Sequence, residues 1–189
     1  MATLAPAMFT FALGDDAALV PRTPAIAEAY HELLVANFDR LSRWLPGMGE
    51  LPTPEQTRAE LAGRGQAWLA GTQLPLAIAV RADGGWQLVG EVNLLINTEV
   101  RRGEIGYWLD PSAEGRGLAT RAVTAAIDWA FGPLNLRRIT LFALADNERS
   151  LALARRLGFR AEAMFVAAAV MADGEHDVAG YGLLAREWR

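Results

Sequence analysis

The chain has 189 residues, a length that predicts a single domain over residues 1–189 with a substantial hydrophobic core. Hydrophobic residues make up 52% and charged residues 21%, which argues against disorder, and a formal net charge of -4 argues against a nucleic-acid-binding surface. The chain contains no cysteine, which excludes disulfide bonds, thiolate metal sites and a cysteine nucleophile.

The first residues do not have the pattern of a targeting segment. Met1–Leu13 is apolar but lacks the basic region of a secretory signal, and Asp15 and Asp16 follow it directly. Part of this stretch, Met8–Leu13, is the first predicted strand. No apolar run approaches the roughly 18 residues that a membrane-spanning helix needs. We therefore expect a cytoplasmic protein with no membrane partner.

Two helices are predicted in the first half of the chain. Thr23–Pro24 is a helix-start signal, and apolar residues follow it at helical spacing. The capping box Thr53–Gln56 begins a second helix, which we expect to end near Gly71. Between them lies the loop Trp44–Gly49, whose tryptophan Trp44 is a candidate wall of a substrate site.

The rest of the chain alternates between strands and helices. Two predicted strands, Leu76–Arg81 and Trp86–Leu95, flank a hairpin turn, and Glu104–Leu109 is the next strand. A longer helix is expected over Leu118–Phe131. The last elements are a strand over Ile139–Ala145, a short helix ending at Leu157, and a closing hairpin of Ala163–Met171 with Asp177–Ala185. This order predicts an α+β fold with a mostly antiparallel sheet and one strand-helix-strand crossover.

A glycine-rich turn lies at this crossover. Residues Leu109–Ala119 read L-D-P-S-A-E-G-R-G-L-A, and such a turn presents unpaired amides at the positive end of a helix dipole. No Lys-Ser/Thr pair follows the turn, which disfavours a Walker ATPase. A dinucleotide-binding fold would also need an acid that binds the ribose, and the strand Ile139–Ala145 offers none before Asp146. The turn predicts a pyrophosphate site, with a tight turn that binds no ligand as the alternative.

Five motifs occur in order along the chain. They are E-I-G-Y-W-L-D-P at Glu104–Pro111, G-R-G-L-A-T at Gly115–Thr120, N-E-R-S at Asn147–Ser150, R-R-L-G-F at Arg155–Phe159, and D-G-E-H-D-V at Asp173–Val178. Together they resemble the GNAT acetyl-CoA-dependent N-acetyltransferases, most closely the branch similar to the RimJ and RimL ribosomal-protein N-terminal acetyltransferases. A weaker resemblance at Asn37–Pro46 extends the match across nearly the whole chain.

This resemblance implies a GNAT-like sheet flanked by helices and an acetyl-CoA site. In that family the strands matching Glu104–Leu109 and Ile139–Ala145 are parallel and splay apart, and pantetheine lies between them like an added strand. Acetyl-CoA is the implied co-substrate, and no metal is implied. The implied cofactor-binding residues are Leu109 through its main chain, Gly115, Arg116, Gly117, Leu118, Ala119 and Thr120 through their amides, and Asn147.

Glu114 departs from the family pattern, which prefers glutamine or arginine before the first glycine. A carboxylate at this position lies close to the expected phosphates. We therefore expect Glu114 to point away or to be neutralised by Arg116 or Arg121.

Asn147 and Ser150 have two interpretations. Asparagine is a favoured helix N-cap, and serine three residues later is tolerated in a first turn. The resemblance instead implies that Asn147 contacts pantetheine and that the Ser150 hydroxyl lies near the thioester sulfur. Ser150 is therefore the candidate general acid, because a nearby hydroxyl can donate a hydrogen bond or proton to the leaving thiolate.

The general base is not identified. In relatives that acetylate ribosomal proteins, a glutamate on the penultimate strand helps deprotonate the amine, and Ala169 occupies that position here. Either Glu104 or Glu91 acts through water, or solvent takes the proton. An α-amine has a reference pKa of roughly 7.7 to 8.0, against about 10.4 for lysine, so a missing base favours a weakly basic amine.

The remaining conspicuous residues are expected to be structural. Tyr107, Trp108, Trp129 and Phe142 lie in apolar runs that are typical of a core. The two histidines lack the spacing of metal ligands.

These observations predict an acetyl-CoA-dependent N-acetyltransferase that transfers acetyl directly to a primary amine. The expected acceptor is a protein N-terminal α-amine or a small-molecule amine. We consider a homodimer as the oligomeric state. The alternative is a non-catalytic acyl-CoA-binding or sensor module that has lost its base. Ser150 and Asn147 disfavour that alternative, and Ala169 favours it.

Overall fold

Strands and helices alternate along the chain, and the computed structural model describes residues 10–83 and 85–189. In these residues the strands are β1 (Phe11–Ala12), β2 (Ala17–Pro21), β3 (Gln73–Ala82), β4 (Gly85–Asn97), β5 (Arg102–Leu109), β6 (Arg138–Leu144), β7 (Arg160–Met171) and β8 (Gly174–Leu184). The α-helices are α1 (Ala27–Trp44), α2 (Pro54–Leu69), α3 (Leu118–Phe131) and α4 (Glu148–Arg156). None of the described helices is long and apolar enough to cross a membrane.

The described strands form one sheet in the order β1-β2-β3-β4-β5-β6-β8-β7. Neighbouring strands are antiparallel except β5 and β6, which are parallel and are connected through α3. This confirms the mostly antiparallel α+β fold with one strand-helix-strand crossover.

Two hydrophobic clusters join the helices to the sheet. In one cluster, Ile127 of α3 and Leu153 of α4 pack with Leu141 of β6. In the other, Leu33 of α1 and Leu61 of α2 pack with strand residues from β2, β3 and β4. The helices therefore divide into two pairs, one for each cluster, with the sheet between them.

Local signals in the sequence correctly predict where the helices begin. The Thr53 hydroxyl oxygen accepts a hydrogen bond from the Gln56 amide at 3.3 Å, and the Gln56 side chain accepts one from the Thr53 amide at 2.7 Å, which completes the capping box. That helix, α2, ends at Leu69, two residues before Gly71. Thr23 precedes a short 3₁₀ turn that leads into α1.

Some strand boundaries differ from the expectation. Of the strand expected over Met8–Leu13, the structure describes a short pairing at Phe11–Ala12, and Met8 and Phe9 lie outside the described residues. The buried strand β2 was not predicted, and β7 begins three residues before Ala163.

Two aromatic residues expected in the core are exposed. Trp129 on α3 is 45% exposed and Phe142 on β6 is 43% exposed, so the prediction that they fill the core is wrong. The Phe142 ring meets that of Phe165 on β7 over Gly180, with centroids 6.0 Å apart. An apolar run identifies a strand but not which of its faces is covered, which explains the error.

Strand β7 is the edge of the sheet next to β8. Val166 and Val170 are 79% and 73% exposed. The pairing with β8 shifts between Phe165 and Ala169, and Ala167 within this bulge has a φ of 51°. A bulge of this kind twists an edge strand and interrupts its ladder.

We expect replacement of Gly90 by alanine to destabilise the fold by about 1 to 3 kcal/mol. Gly90 pairs with Leu109, and a Cβ at Gly90 overlaps the Trp108 carbonyl oxygen of the same neighbouring strand. The Gly106→Ala variant in β5 is the matched control, because a Cβ there meets no atom within 4 Å. We expect that control to change stability by less than about 0.5 kcal/mol. Urea unfolding measures both changes, and equal losses for the two variants would contradict this close approach of β4 and β5.

Candidate functional site

A cleft of about 940 Å³ opens where β5 and β6 part. The two strands pair at Arg102–Arg138, Gly103–Ile139 and Glu104–Thr140, after which they separate. The walls of the cleft come from the carboxyl ends of β5 and β6, the turn before α3, the start of α4 and the end of α1. Ligands of open α/β sheets commonly bind at such divergent strand ends.

The glycine-rich turn forms one wall of this cleft. Gly115 and Gly117 have φ values of 74° and 72°, and a Cβ on either residue would meet no protein atom within 4 Å. Gly117 is the N-cap of α3, so the amides of the first helical turn lack intrahelical partners. Of the residues expected to hold the pyrophosphate, Gly115, Gly117, Leu118, Ala119 and Thr120 line the cleft, whereas Arg116 is not among its lining residues. This arrangement provides a site for an anion.

The arginines of this turn bind Asp16 rather than Glu114. Arg121 Nη1 lies 2.7 Å from the Asp16 carboxylate, and Arg116 Nη2 lies 3.3 Å from it. The hydrogen bond from Arg121 is the main reason that the pKa of Asp16 is lowered to about 2. The expectation that Arg116 or Arg121 neutralises Glu114 is therefore wrong, because both are already paired with the loop before β2.

Two other arginines neutralise Glu114. Its carboxylate contacts the guanidinium of Arg40 on α1, and Arg149 Nη1 of α4 lies 2.5 Å from its second oxygen. Both arginines also line the cleft. Glu114 therefore joins two cations that come from different helices, which sequence spacing does not reveal.

Helix α1 is attached to the end of β5 through two side chains one helical turn apart. Asn37 Nδ2 donates to Asp110 Oδ2 at 2.8 Å, and Arg40 Nη1 donates to the Leu109 carbonyl oxygen at 3.0 Å. Trp44, one turn further along the same helix, lines the cleft. The segment Asn37–Pro46 therefore contains the side chains that attach this helix to the cleft. The main chain of Leu109 is expected to meet pantetheine, and its carbonyl oxygen accepts a hydrogen bond from Arg40 in this structure.

The start of α4 places Asn147 and Ser150 at the same cleft. Asn147 caps the helix, because its Oδ1 accepts from the Ser150 amide at 3.1 Å. The Tyr107 hydroxyl donates to Ser150 Oγ at 3.2 Å. The capping interpretation of Asn147 is thus confirmed, and it is compatible with a ligand contact because both residues line the cleft.

Sequence reasoning assigned Tyr107 to the core and missed its position at the cleft. Burial raises the pKa of Tyr107, and the hydrogen bond to Ser150 acts in the opposite direction. Tyr107 is on β5 at the point where the strand has left β6, so one side of it packs on the core and the other faces the cleft. The alternating pattern of a strand carries no signal for such a residue.

A second cavity of about 220 Å³ lies beside the cleft and shares the wall residues Leu41, Leu45 and Trp108 with it. Glu91 lines this cavity and contacts the buried guanidinium of Arg22 and the hydroxyl of Tyr30. Arg22 is 1% exposed and also donates to the Tyr30 hydroxyl at 3.1 Å. Glu91 is therefore part of a buried polar cluster at the side of the cleft.

Glu104, the other candidate base, lies away from the cleft, as do Glu162 and Ala169, the residue at the family's base position. Glu104 is exposed and lies where β5 and β6 are still paired. Glu162 binds Arg138, with a second contact of 3.0 Å between Arg138 Nη1 and Glu162 Oε1. Ala169 is buried on β7 opposite His176. Within residues 10–83 and 85–189, no group of three or more histidine, aspartate or glutamate side chains is arranged to hold a metal ion.

Comparison with known proteins gives a family match over most of the chain. Residues 18–160 match the acetyltransferase (GNAT) domain model. The putative ribosomal N-acetyltransferase YdaF of Bacillus subtilis (strain 168) is 33% identical over 186 residues, which cover 96% of this chain and 98% of that relative.

Solved structures give the same result for the fold. The crystal structure of a probable acetyltransferase superposes with a TM-score of 0.87 at 28% identity, covering 95% of this chain and 99% of that chain. RimL, a ribosomal L7/L12 alpha-N-protein acetyltransferase solved in complex with coenzyme A, also has a TM-score of 0.87, at 23% identity, covering 93% of this chain and 98% of that chain. The chain therefore belongs to the GNAT family of N-acetyltransferases, and it has the fold of RimL.

Proposed function

We propose that this protein transfers acetyl from acetyl-CoA directly to a primary amine, either a protein N-terminal α-amine or the amine of a small molecule. The main support is that the glycine-rich turn and the Asn147–Ser150 segment line one cleft between diverging parallel strands. A pyrophosphate and a thioester can then be held at the same time. The complex of RimL with coenzyme A supports the same choice of cofactor.

In the proposed complex the amides of Gly115, Arg116, Gly117, Leu118, Ala119 and Thr120 hold the pyrophosphate. Arg116 contributes its backbone, because its side chain is turned to Asp16. Pantetheine pairs with the main chain of Leu109, whose carbonyl Arg40 must then release, and contacts Asn147. The arginines on Glu114 reduce its repulsion of the phosphates.

The acceptor binds on the α1 side of the cleft. Trp44 lines this side, and Trp108 lines both the cleft and the smaller cavity. We propose that Trp44 forms a wall of the acceptor site. The smaller cavity then accommodates the part of the acceptor next to its amine.

The proposed reaction occurs in a ternary complex without an acyl-enzyme. The amine nitrogen attacks the thioester carbonyl, backbone amides polarise that carbonyl, and the carbon–sulfur bond breaks with its electron pair on sulfur. Ser150 is the general acid that meets the leaving thiolate. Ala169 supplies no carboxylate, and Glu91 is already engaged by Arg22 and Tyr30, so solvent takes the amine proton.

The missing carboxylate favours an α-amine over a lysine side chain. At pH near 7.5 an α-amine is appreciably neutral, whereas a lysine with a reference pKa of about 10.4 is almost entirely protonated. The relative YdaF, a putative ribosomal N-acetyltransferase, is consistent with a protein N-terminus as acceptor.

The alternative is a non-catalytic acyl-CoA sensor, which Ala169 favours. The cap from Asn147 and the hydroxyl pair at Ser150 disfavour it, because binding alone does not require a hydroxyl at the thioester. A screen of amines read by free coenzyme A release, with mass spectrometry of the products, separates the two. Tight acetyl-CoA binding without turnover of any amine would establish the sensor.

We expect Gly117→Asp to nearly abolish acetyl-CoA binding while the fold is kept. The substitution places bulk and negative charge on the wall that the pyrophosphate must approach. Isothermal titration calorimetry measures the affinity. The matched control is Gly158→Asp, because Gly158 also has a positive φ, 83°, and open space at its Cβ, but follows α4. Equal affinities in the two folded variants would contradict the assignment of the pyrophosphate site.

We expect kcat/KM to rise with pH and to level off near the pKa of the acceptor, roughly 8 for an α-amine, since the neutral amine is the nucleophile. The measurement compares pH profiles for an N-terminal peptide and for the same peptide with a blocked N-terminus and one lysine. The lysine acceptor should still be rising at pH 9. A shared inflection near pH 6 to 7 for both acceptors would reveal a base in the protein and contradict the proposal.

A further inference from the structure

Ser150 is held at the cleft through its main chain and through its side chain. Its amide donates to Asn147 Oδ1 at 3.1 Å, which fixes the first turn of α4. Its hydroxyl oxygen accepts from Tyr107 at 3.2 Å, across from β5. Because Tyr107 donates a hydrogen bond to Ser150 Oγ, the Ser150 hydroxyl can direct its own proton to another acceptor in the cleft.

A serine hydroxyl by itself is a poor proton source for a thiolate. An aliphatic alcohol is a far weaker acid than a thiol, whose reference pKa is about 8.5, so the transfer is strongly uphill. A phenol, with a reference pKa of about 10, is much closer to the thiol. A serine that receives a proton from tyrosine as it gives up its own avoids the alkoxide.

We propose that Tyr107 holds the Ser150 hydroxyl toward the leaving sulfur and supplies, through it, the proton that the thiolate takes up. This inference rests on the proposed acetyl transfer. Tyr107 does not touch the thioester in this arrangement, so it is a positioning residue that acts through Ser150.

The proton balance of the step is closed. As the carbon–sulfur bond breaks with its electron pair on sulfur, the Ser150 proton moves to sulfur and the Tyr107 proton moves to Ser150 Oγ. Water then reprotonates the Tyr107 phenolate, and the proton that the amine nitrogen loses goes to water. One amine and one thioester give one amide and one thiol.

The surroundings of Tyr107 are suited to this role. Its ring packs against the core of α3 and α4, which fixes the hydroxyl in place. Burial raises the pKa of Tyr107, and the positive charge of Arg156 at the cleft lowers it by a smaller amount. Tyr107 is therefore protonated near neutral pH and is available as a donor.

The first test is a double-mutant cycle on Tyr107→Phe and Ser150→Ala. We expect Ser150→Ala to lower kcat by roughly 10- to 1,000-fold and Tyr107→Phe by roughly 3- to 30-fold, with the KM for acetyl-CoA changed by less than about 2-fold. The double variant should be no slower than Ser150→Ala alone, because the phenol acts only through the serine. Tyr181→Phe, which removes the hydroxyl of a buried β8 tyrosine, is the control and should keep the kcat.

The second test needs no acceptor. In the complex with coenzyme A, the hydroxyl pair stabilises the thiolate, so we expect the bound thiol to titrate below free coenzyme A in ultraviolet difference absorbance. Ser150→Ala should return the pKa of the thiol toward the free value, and Tyr107→Phe should return it part of the way. The double variant should match Ser150→Ala.

The outcomes separate this inference from the proposed function. Multiplicative losses in the cycle, a Tyr107→Phe effect confined to KM, or an unchanged kcat and thiol pKa would overturn the role of Tyr107. A loss with Tyr107→Phe but none with Ser150→Ala would also overturn it, because the phenol would then act directly. Wild-type protein that binds acetyl-CoA but acetylates no amine would overturn the proposed function, while the thiol titration still decides the role of Tyr107.

Discussion

The separation of β5 from β6 is the constraint on which the rest of the structure depends. A parallel pair that parts after Glu104 and Thr140 leaves main-chain groups of β5 without a strand partner, and buried groups of this kind must be satisfied. The protein satisfies the Leu109 carbonyl with Arg40. It also places the first turns of α3 and α4 at the two sides of the opening, and the α3 turn has no side-chain cap for its amides. Strand divergence and helix termini together place polar groups in a cleft whose walls are otherwise largely apolar.

Helix α1 connects the cofactor side of the cleft with the acceptor side. Asn37 and Arg40 attach it to the end of β5, Arg40 also reaches Glu114, and Trp44 follows on the same face. A ligand that takes the Leu109 carbonyl competes directly with Arg40. Ligands on the cofactor side and on the acceptor side of the cleft can therefore both affect the position of this helix. The polar cluster around Arg22 and Glu91 anchors the other end of the helix to β4.

Features that depend on a few neighbouring residues could be predicted from the sequence, whereas ion pairs between distant elements could not. The capping box at Thr53 and the start of α3 at Leu118 follow from signals within a few residues. The partners of Glu114 come from α1 and α4, far apart in the chain, so no spacing rule identifies them. Phe142 was misassigned, and the cleft-facing side of Tyr107 was missed, for a related reason: an apolar strand pattern does not say which face meets a helix and which meets a cleft. The homodimer stays a prediction.

The bulge in β7 protects a segment that is prone to associate with other chains while the protein is unfolded. Residues 163–172 contain no charged side chain, and they are rich in alanine, valine and methionine with one phenylalanine. An uncharged apolar segment of this length is prone to cross-β association between chains. In the folded protein the shift at Ala167 distorts the exposed edge and opposes the addition of a strand. That protection exists only after β7 has paired with β8, so refolding yield should depend steeply on protein concentration even though the native protein tolerates the same edge.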